Sequence, residues 1–293
     1  MSLTDAEAVQ SGTVTRKSRV KARPGARPTA GEVVSVAVLA FLALAAIVPE
    51  LFTSVDPLAI SPAEAFQSPN AAHWFGTDES GRDVFSRTIH GARPSLLIGV
   101  TATAIGIGLA LILGILGGLG PKPVDYTVTR IGEVLFALPG LLLALVFIAI
   151  VGPGIVTSTI AVGISAAPGY ARIIRSQIRG VRGASYVEAA TVLGRSRSTI
   201  VRRNILPNAV APVFVLATLG VGQAIVWASS LSYLGLGAVP PAAEWGAMLS
   251  AGRNYISIAW WLTVFPGLFI VLAAGAATSL GRSLQARTRQ VEQ

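Results

Sequence analysis

The chain has 293 residues, of which 52% are apolar and only 13% charged, with a mean hydropathy of +0.65. An average soluble domain is about a quarter charged, so these values exclude an ordinary water-soluble globule. A net charge of +9 would suggest nucleic acid in a soluble protein, but here it points to anionic lipid or an acidic protein surface; the absence of cysteine removes disulfides, thiolate catalysis and Cys-ligated metal.

Residues 1–30 carry Arg16, Lys17, Arg19, Lys21, Arg23 and Arg27 with Pro24 and Pro28, and are expected to form a disordered basic tail on the inner membrane face. The first apolar run, 33–52, is long enough to cross a ~30 Å hydrocarbon core at ~1.5 Å per residue. Ala43 and Ala45 also fit a signal-peptide cleavage pattern, but the long leader and the apolar continuation past Ala45 favour an anchor. Residues 53–94 form the longest polar segment, in which Gly76-Thr77-Asp78 leads into Ser80-Gly81-Arg82-Asp83. Ser80 with Asp83 has capping-box spacing, Val84, Phe85, Thr88, Ile89 and Ala92 form one face, and Asp83 can pair with Arg87. An amphipathic helix on the outer surface is expected there, ahead of the second span.

Further apolar runs at 96–119, 131–151, 155–174, 209–236 and 258–280 complete six expected transmembrane helices, an all-α polytopic membrane protein. Gly99, Gly106, Gly108, Gly114, Gly117 and Gly118 in the second read first as close helix packing, with a path lining as the alternative. Glu133 in the third can be satisfied by Arg130 one turn away. Arg172, Arg175, Arg179 and Arg182 recur along one side of a helix and suit headgroups on the inner face. They run into a basic island, 185–208, which reads as two short helices. Gly194 would end the first in the left-handed conformation, Ser196 or Ser198 would cap the second, and Pro207 would stop it and open the next apolar span. In the outer segment 237–257 and just beyond, Trp245, Tyr255, Trp260 and Trp261 would place aromatic rings at the membrane interface.

With this topology the outer segments hold only Arg82, Arg87, Arg93 and Arg253, and the inner ones hold the other nineteen of the 23 Lys and Arg. The positive-inside rule therefore puts both termini and the 185–208 island in the cytoplasm. His73 and His90 complete no ligand set, so no metal or cofactor is expected. No G-x-x-x-x-G-K-[ST] sequence occurs, so the chain cannot cradle ATP phosphates in the P-loop manner, and no catalytic triad is supportable.

The spelling of the island adds a resemblance. Glu188-Ala189-Ala190, Gly194 six residues after the Glu, and Ile205-Leu206-Pro207 resemble the EAA loop of ABC-importer permeases, which docks into a separate ATPase subunit. GTDESGRDVFSR at 76–87, LPGLLLALVFIAIVGPG at 138–154, LSYLGLG at 231–237 and EWGAMLSAGR at 244–253 narrow it to the second permease of dipeptide, oligopeptide and nickel importers. The resemblance runs over about residues 30–280 and implies a type I ABC importer fold and a non-catalytic permease in a prokaryotic cytoplasmic membrane. It implies as partners a second homologous permease, two ATPase subunits or domains, an extracytoplasmic substrate-binding protein and membrane lipids, with no nucleic acid. It divides the chain into a tail at 1–30, a first helix and outer segment at 31–94, a permease domain at 95–281 with its coupling loop at 184–207, and a C-terminal tail at 282–293. Gly76, Thr77, Asp78, Gly81, Arg82 and Asp83 carry the outer family motif. Asn204 stands where the family usually has His, Pro94 is unusual before the second span, and the C-terminal segment is basic rather than acidic. The cargo implied is a short peptide, with nickel or another small solute as the alternative. A stand-alone secondary transporter is the reading from another class, but it would normally show internal repeats and intramembrane charges.

Overall fold

The computed structural model describes residues 29–292 of the chain. The expected basic tail therefore lies, apart from its last two residues, outside the described residues. Helix α1 (Ala30–Ile47) starts at a reciprocal cap, in which Glu32 N donates to Thr29 Oγ1 and Thr29 N donates to a Glu32 carboxylate oxygen. Helix α2 (Val84–Leu119) runs unbroken for 36 residues through Pro94. At ~1.5 Å per residue it is some 50 Å long, well beyond a ~30 Å core. The separate surface helix expected before the second span is thus the outer extension of that span. Its cap is Asp83, which accepts from Ser86 N at 2.7 Å, and not Ser80.

Helices α3 (Lys122–Phe136) and α4 (Gly140–Val151) meet at 90°, so the third expected span is broken rather than straight. The break is at Pro139, which has no N–H to donate and disfavours helical backbone at Leu138 before it. Helix α5 (Ile155–Arg182) covers the fourth expected span and continues through the arginine stripe. Short helices α6 (Ser185–Val192) and α7 (Arg197–Ile200) follow. A π turn, Val201–Ile205, then leads directly into α8 (Leu206–Tyr233). Pro207 therefore opens the next apolar helix, as expected, but does not stop the one before it. It stands in the first turn of α8, where the missing N–H is tolerated, and the wider π turn precedes it. Helix α9 (Trp245–Gly252) lies between α8 and α10 (Trp261–Glu292), and α10 continues helically through the segment expected as a tail.

Four of these helical runs are long and apolar enough to cross a membrane by length and composition, and a fifth is if the bent α3–α4 pair is one span. The remaining long helix, α5, is rich in Gly, Ala and Ser and lies against α2 at the centre of the bundle. Small residues make that approach possible, since lipid supplies no hydrophobic drive for helices to associate. A Cβ at Gly106 would sit 2.9 Å from Gly163 O, and at Gly114 and Gly118 it would press on Ile174 and Ile178. Gly108 faces open space instead. The buried side chains form three successive layers. The outermost gathers Leu42, Ile89, Trp245, Trp261 and Phe269. The middle one holds Ile98, Ile148, Val162 and Leu231, and the innermost Ile174, Ile178, Val187, Ile200 and Ile205.

Candidate functional site

The 185–208 island is folded by local chemistry. Past the C-cap Leu193, Gly194 takes φ +74°, and its N–H donates to Thr191 O while Arg195 N donates to Ala190 O. These two bonds close α6 in a Schellman arrangement, which needs a left-handed residue at this position. Ser196 then caps α7 by accepting from Thr199 N at 3.3 Å. Val187 and Ala190 on one face of α6 are buried with Ile200 and Ile205 against Ile174 and Ile178 of α5. The hairpin is also braced to α2, because Arg182 and Arg197 donate to the terminal carbonyls of Gly118 and Leu119.

Its other face is left open. Glu188, Ala189 and Gly194 are exposed, and Val192 and Leu193 at the tip are 83% and 77% exposed. Among the described residues the Glu188 side chain makes no hydrogen bond or ion pair. Ile205 is buried, Leu206 half-buried and Pro207 exposed, so the motif divides into anchors (Ala190, Ile205) and a presented surface (Glu188, Ala189, Gly194). Asn204, on the π turn, has a buried Oδ1 with no partner among the described residues.

The outer motif is a buried knot. Gly76 and Gly81 adopt φ +73° and +74°, and a Cβ on Gly81 would lie 1.8 Å from Ser61 O. Thr77 is fully buried, receives Gln67 N on its hydroxyl and Trp261 Nε1 on its carbonyl, and donates to Glu64 O. Asp78 accepts from Ser80 N, Arg82 N and Arg82 Nε, with Arg87 Nε at 3.6 Å. Arg87 donates to the carbonyls of Pro57 and Pro241, 30 and 154 residues from it in sequence, and so joins two outer segments. The expected Asp83–Arg87 pair is replaced: Asp83 meets His73 Nδ1 at 2.8 Å, and His73 is thereby a half-buried tether rather than a free surface residue.

Two further expectations change with the packing. Trp245 and Trp261 are core residues, 0% and 5% exposed, instead of interfacial rings; Trp260 is 49% exposed. The arginine stripe turns largely onto protein. Arg175 and Arg179 both bind Asp125 of α3, Arg182 holds α2, and Arg172 stacks 4.3 Å from the Phe136 ring centre. Glu133 pairs with Arg130 at 2.8 Å, as its spacing suggests.

Sequence reasoning missed Glu244 and Asp125. Glu244 is 1% exposed and caps α9, accepting from Gly246 N and Ala247 N at 2.9 Å and from Ser95 Oγ at 3.3 Å. Its place just before a helical run was a usable signal. Asp125 had none, because Arg175 lies 50 residues away. Between α4, α5 and α8 an open cleft of about 860 Å³ presents Ser165, Tyr170, Gln223 and Trp227 among apolar neighbours.

A bundle of long apolar helices, closed at one end by a buried polar knot and presenting a basic hairpin at the other, is a multi-pass membrane protein. Residues 106–290 match the family described as binding-protein-dependent transport system inner membrane component, and the chain belongs to that family. It is 38% identical over 253 residues to the dipeptide transport system permease protein DppC of Alkalihalophilus pseudofirmus, covering 86% of this chain and 83% of that one. It is 39% identical to the probable D,D-dipeptide transport system permease protein DdpC of Escherichia coli K12, covering 83% and 81%. It is 40% identical to the glutathione transport system permease protein GsiD of Pectobacterium atrosepticum, covering 75% and 73%. Among solved structures, an amino acid ABC transporter with histidines matches with a TM-score of 0.56 at 18% identity, covering 69% of this chain and 94% of that one. The inward-facing MetNI methionine ABC transporter matches at 0.54 and 20%, covering 69% and 97%. The fold is that of type I ABC importer permeases, and the chain is a permease subunit.

Proposed function

We propose that this permease carries short peptides across the cytoplasmic membrane of a prokaryote, with both termini inside, driven by ATPase chains that dock on the α6–α7 hairpin. The observation that carries the reading is the presented face of that hairpin. An unpaired carboxylate, Glu188, stands beside two exposed apolar side chains, Val192 and Leu193, on a base packed against α5 and α2. Exposed apolar residues of this kind suit a partner surface, and a rigid base transmits its movement. Nucleotide-driven closure of two ATPase subunits or domains would push on Glu188, Ala189 and Gly194, and the load would pass through Ala190 and Ile205 to α5 and α8.

Orientation is supported by the positive-inside rule, since the expected inner segments carry nineteen of the 23 Lys and Arg. The pairing of Glu32 with Arg287 supports termini on one face. A second homologous permease would complete the path, and the α4–α5–α8 cleft with Tyr170, Gln223 and Trp227 is our candidate for this chain's half of it. An extracytoplasmic binding protein would deliver cargo to the outer surface held by Gly76 to Asp83. Peptide cargo is favoured over nickel or another small solute by relatives named for dipeptides, D,D-dipeptides and glutathione. The test is uptake by a strain lacking this chain. Loss of labelled dipeptide uptake with nickel uptake intact supports the reading, and the reverse pattern overturns the cargo. Failure of the chain to co-purify with any P-loop ATPase would overturn the coupling.

A further inference from the structure

At the hairpin end, α3 lies against α5 with none of its residues buried. Lys122, Tyr126 and Arg130 follow one another at i, i+4 spacing on one side of it and are all exposed. Together with Arg175 and Arg179 of α5 they line an open cleft of about 900 Å³. The acids there are already engaged. Asp125 is held by Arg175 and Arg179, and Glu133 by Arg130. Four cations thus face two acids, and the Lys122 side chain has no ion pair or hydrogen bond among the described residues.

This cationic mouth adjoins a second cleft of about 720 Å³ with a different lining. Leu113, Val128, Ile131, Leu135 and Phe136 form its walls, and it shares Thr129, Glu133 and Arg175 with the first. Arg172 stands at its edge over Phe136, again without an acid partner. A surplus of positive charge opening directly onto an apolar groove, at the end of a transmembrane bundle, matches one chemical class: an anionic amphiphile.

We propose that this paired cleft is a binding site for an anionic phospholipid, with the headgroup phosphate among Lys122, Arg130 and Arg179 and an acyl chain along Val128, Ile131 and Leu135. Free phosphate could satisfy the cationic mouth alone. The apolar groove joined to it commits the site to lipid. The lipid would bridge α3 and α5 beside the Asp125 link, fixing the angle of α3 where it enters the broken span.

The test uses the full-length chain in a zwitterionic detergent, titrated with phosphatidylglycerol, with phosphatidylcholine of the same acyl chains, or with inorganic phosphate. Retained lipid is counted by native mass spectrometry and stability is followed by thermal melting. Phosphatidylglycerol should be retained and should raise the melting temperature, whereas phosphatidylcholine and phosphate should do neither. The double substitution K122Q/R130Q should weaken phosphatidylglycerol binding by roughly thirtyfold at low salt, from about fivefold per basic residue. Both side chains are exposed and contribute little to folding, and K122R/R130K should bind like the unaltered chain. Equal retention of the two lipids, or undiminished binding by K122Q/R130Q, overturns the site. An equal response to inorganic phosphate overturns the lipid. Shielding of Lys122 from an amine-reactive reagent by co-purified subunits but not by phosphatidylglycerol assigns the cleft to a protein partner and also overturns it.

Discussion

The Glu188 carboxylate spends nothing on its own fold: it is exposed, and no group among the described residues binds it. Glu188→Ala should therefore reach the membrane at the normal level and melt normally while dipeptide uptake is lost; uptake at the unaltered rate would remove the coupling role. Gly194 differs, because its φ of +74° is a backbone requirement. A side chain there meets no neighbour within 4 Å, so the strain of the left-handed conformation, about 1–2 kcal/mol, is the whole intramolecular cost. Gly194→Val should be mildly destabilised yet inactive, and immunoblotting beside uptake separates the two effects. Glu244 is the opposite case. Replacing it with Ala strands the buried N–H groups of Gly246 and Ala247, at about 1–3 kcal/mol for each unsatisfied donor. A lower melting temperature and reduced membrane level are expected for Glu244→Ala.

At the scale of elements, the outer end of α2 is set by partners far along the chain. Arg87 joins Asp78 to the carbonyls of Pro57 and Pro241, and Arg87 and Asp78 are themselves buried. Removing one member of a buried charged group costs about 3–5 kcal/mol, since the remaining charge loses its compensation. Arg87→Ala should accordingly loosen segment 53–83, read as new protease cleavage there in right-side-out vesicles, with the hairpin end still protected. The same non-local burial explains what could be read from residues in order. Gly194 and Ser196 were legible because helix stops and caps act within four residues. The break at Pro139, the continuous α2 and the passage through Pro207 were not. A proline marks a possible boundary, and only packing decides whether the helix ends, bends or runs on. Trp245 and Trp261 were misplaced for a related reason. Aromatic residues in an outer segment have the composition of an interfacial belt, and only Thr88, Thr77 and Phe269 beside them show that they are core.

For the whole molecule, the absence of cysteine makes sidedness directly measurable. Leu193→Cys and Trp74→Cys place single thiols at exposed positions on opposite ends of the bundle. A membrane-impermeant maleimide should label position 74 in intact cells or spheroplasts and position 193 only in inverted vesicles. Labelling of both from one side would contradict the topology, and labelling in the reverse order would invert it.

The family match begins at residue 106, yet the chain before it is fastened to α10 at both membrane faces. At one face Trp261 donates to Thr77, and at the other Arg287 grips Glu32. Helix α10 is thus a strut bolted at each end to the N-terminal third, and a tilt of either must carry the other with it. The N-terminal third is then no detachable ornament on a smaller transporter. A chimaera that exchanges α1 and the outer segment should function only when α10 comes from the same parent.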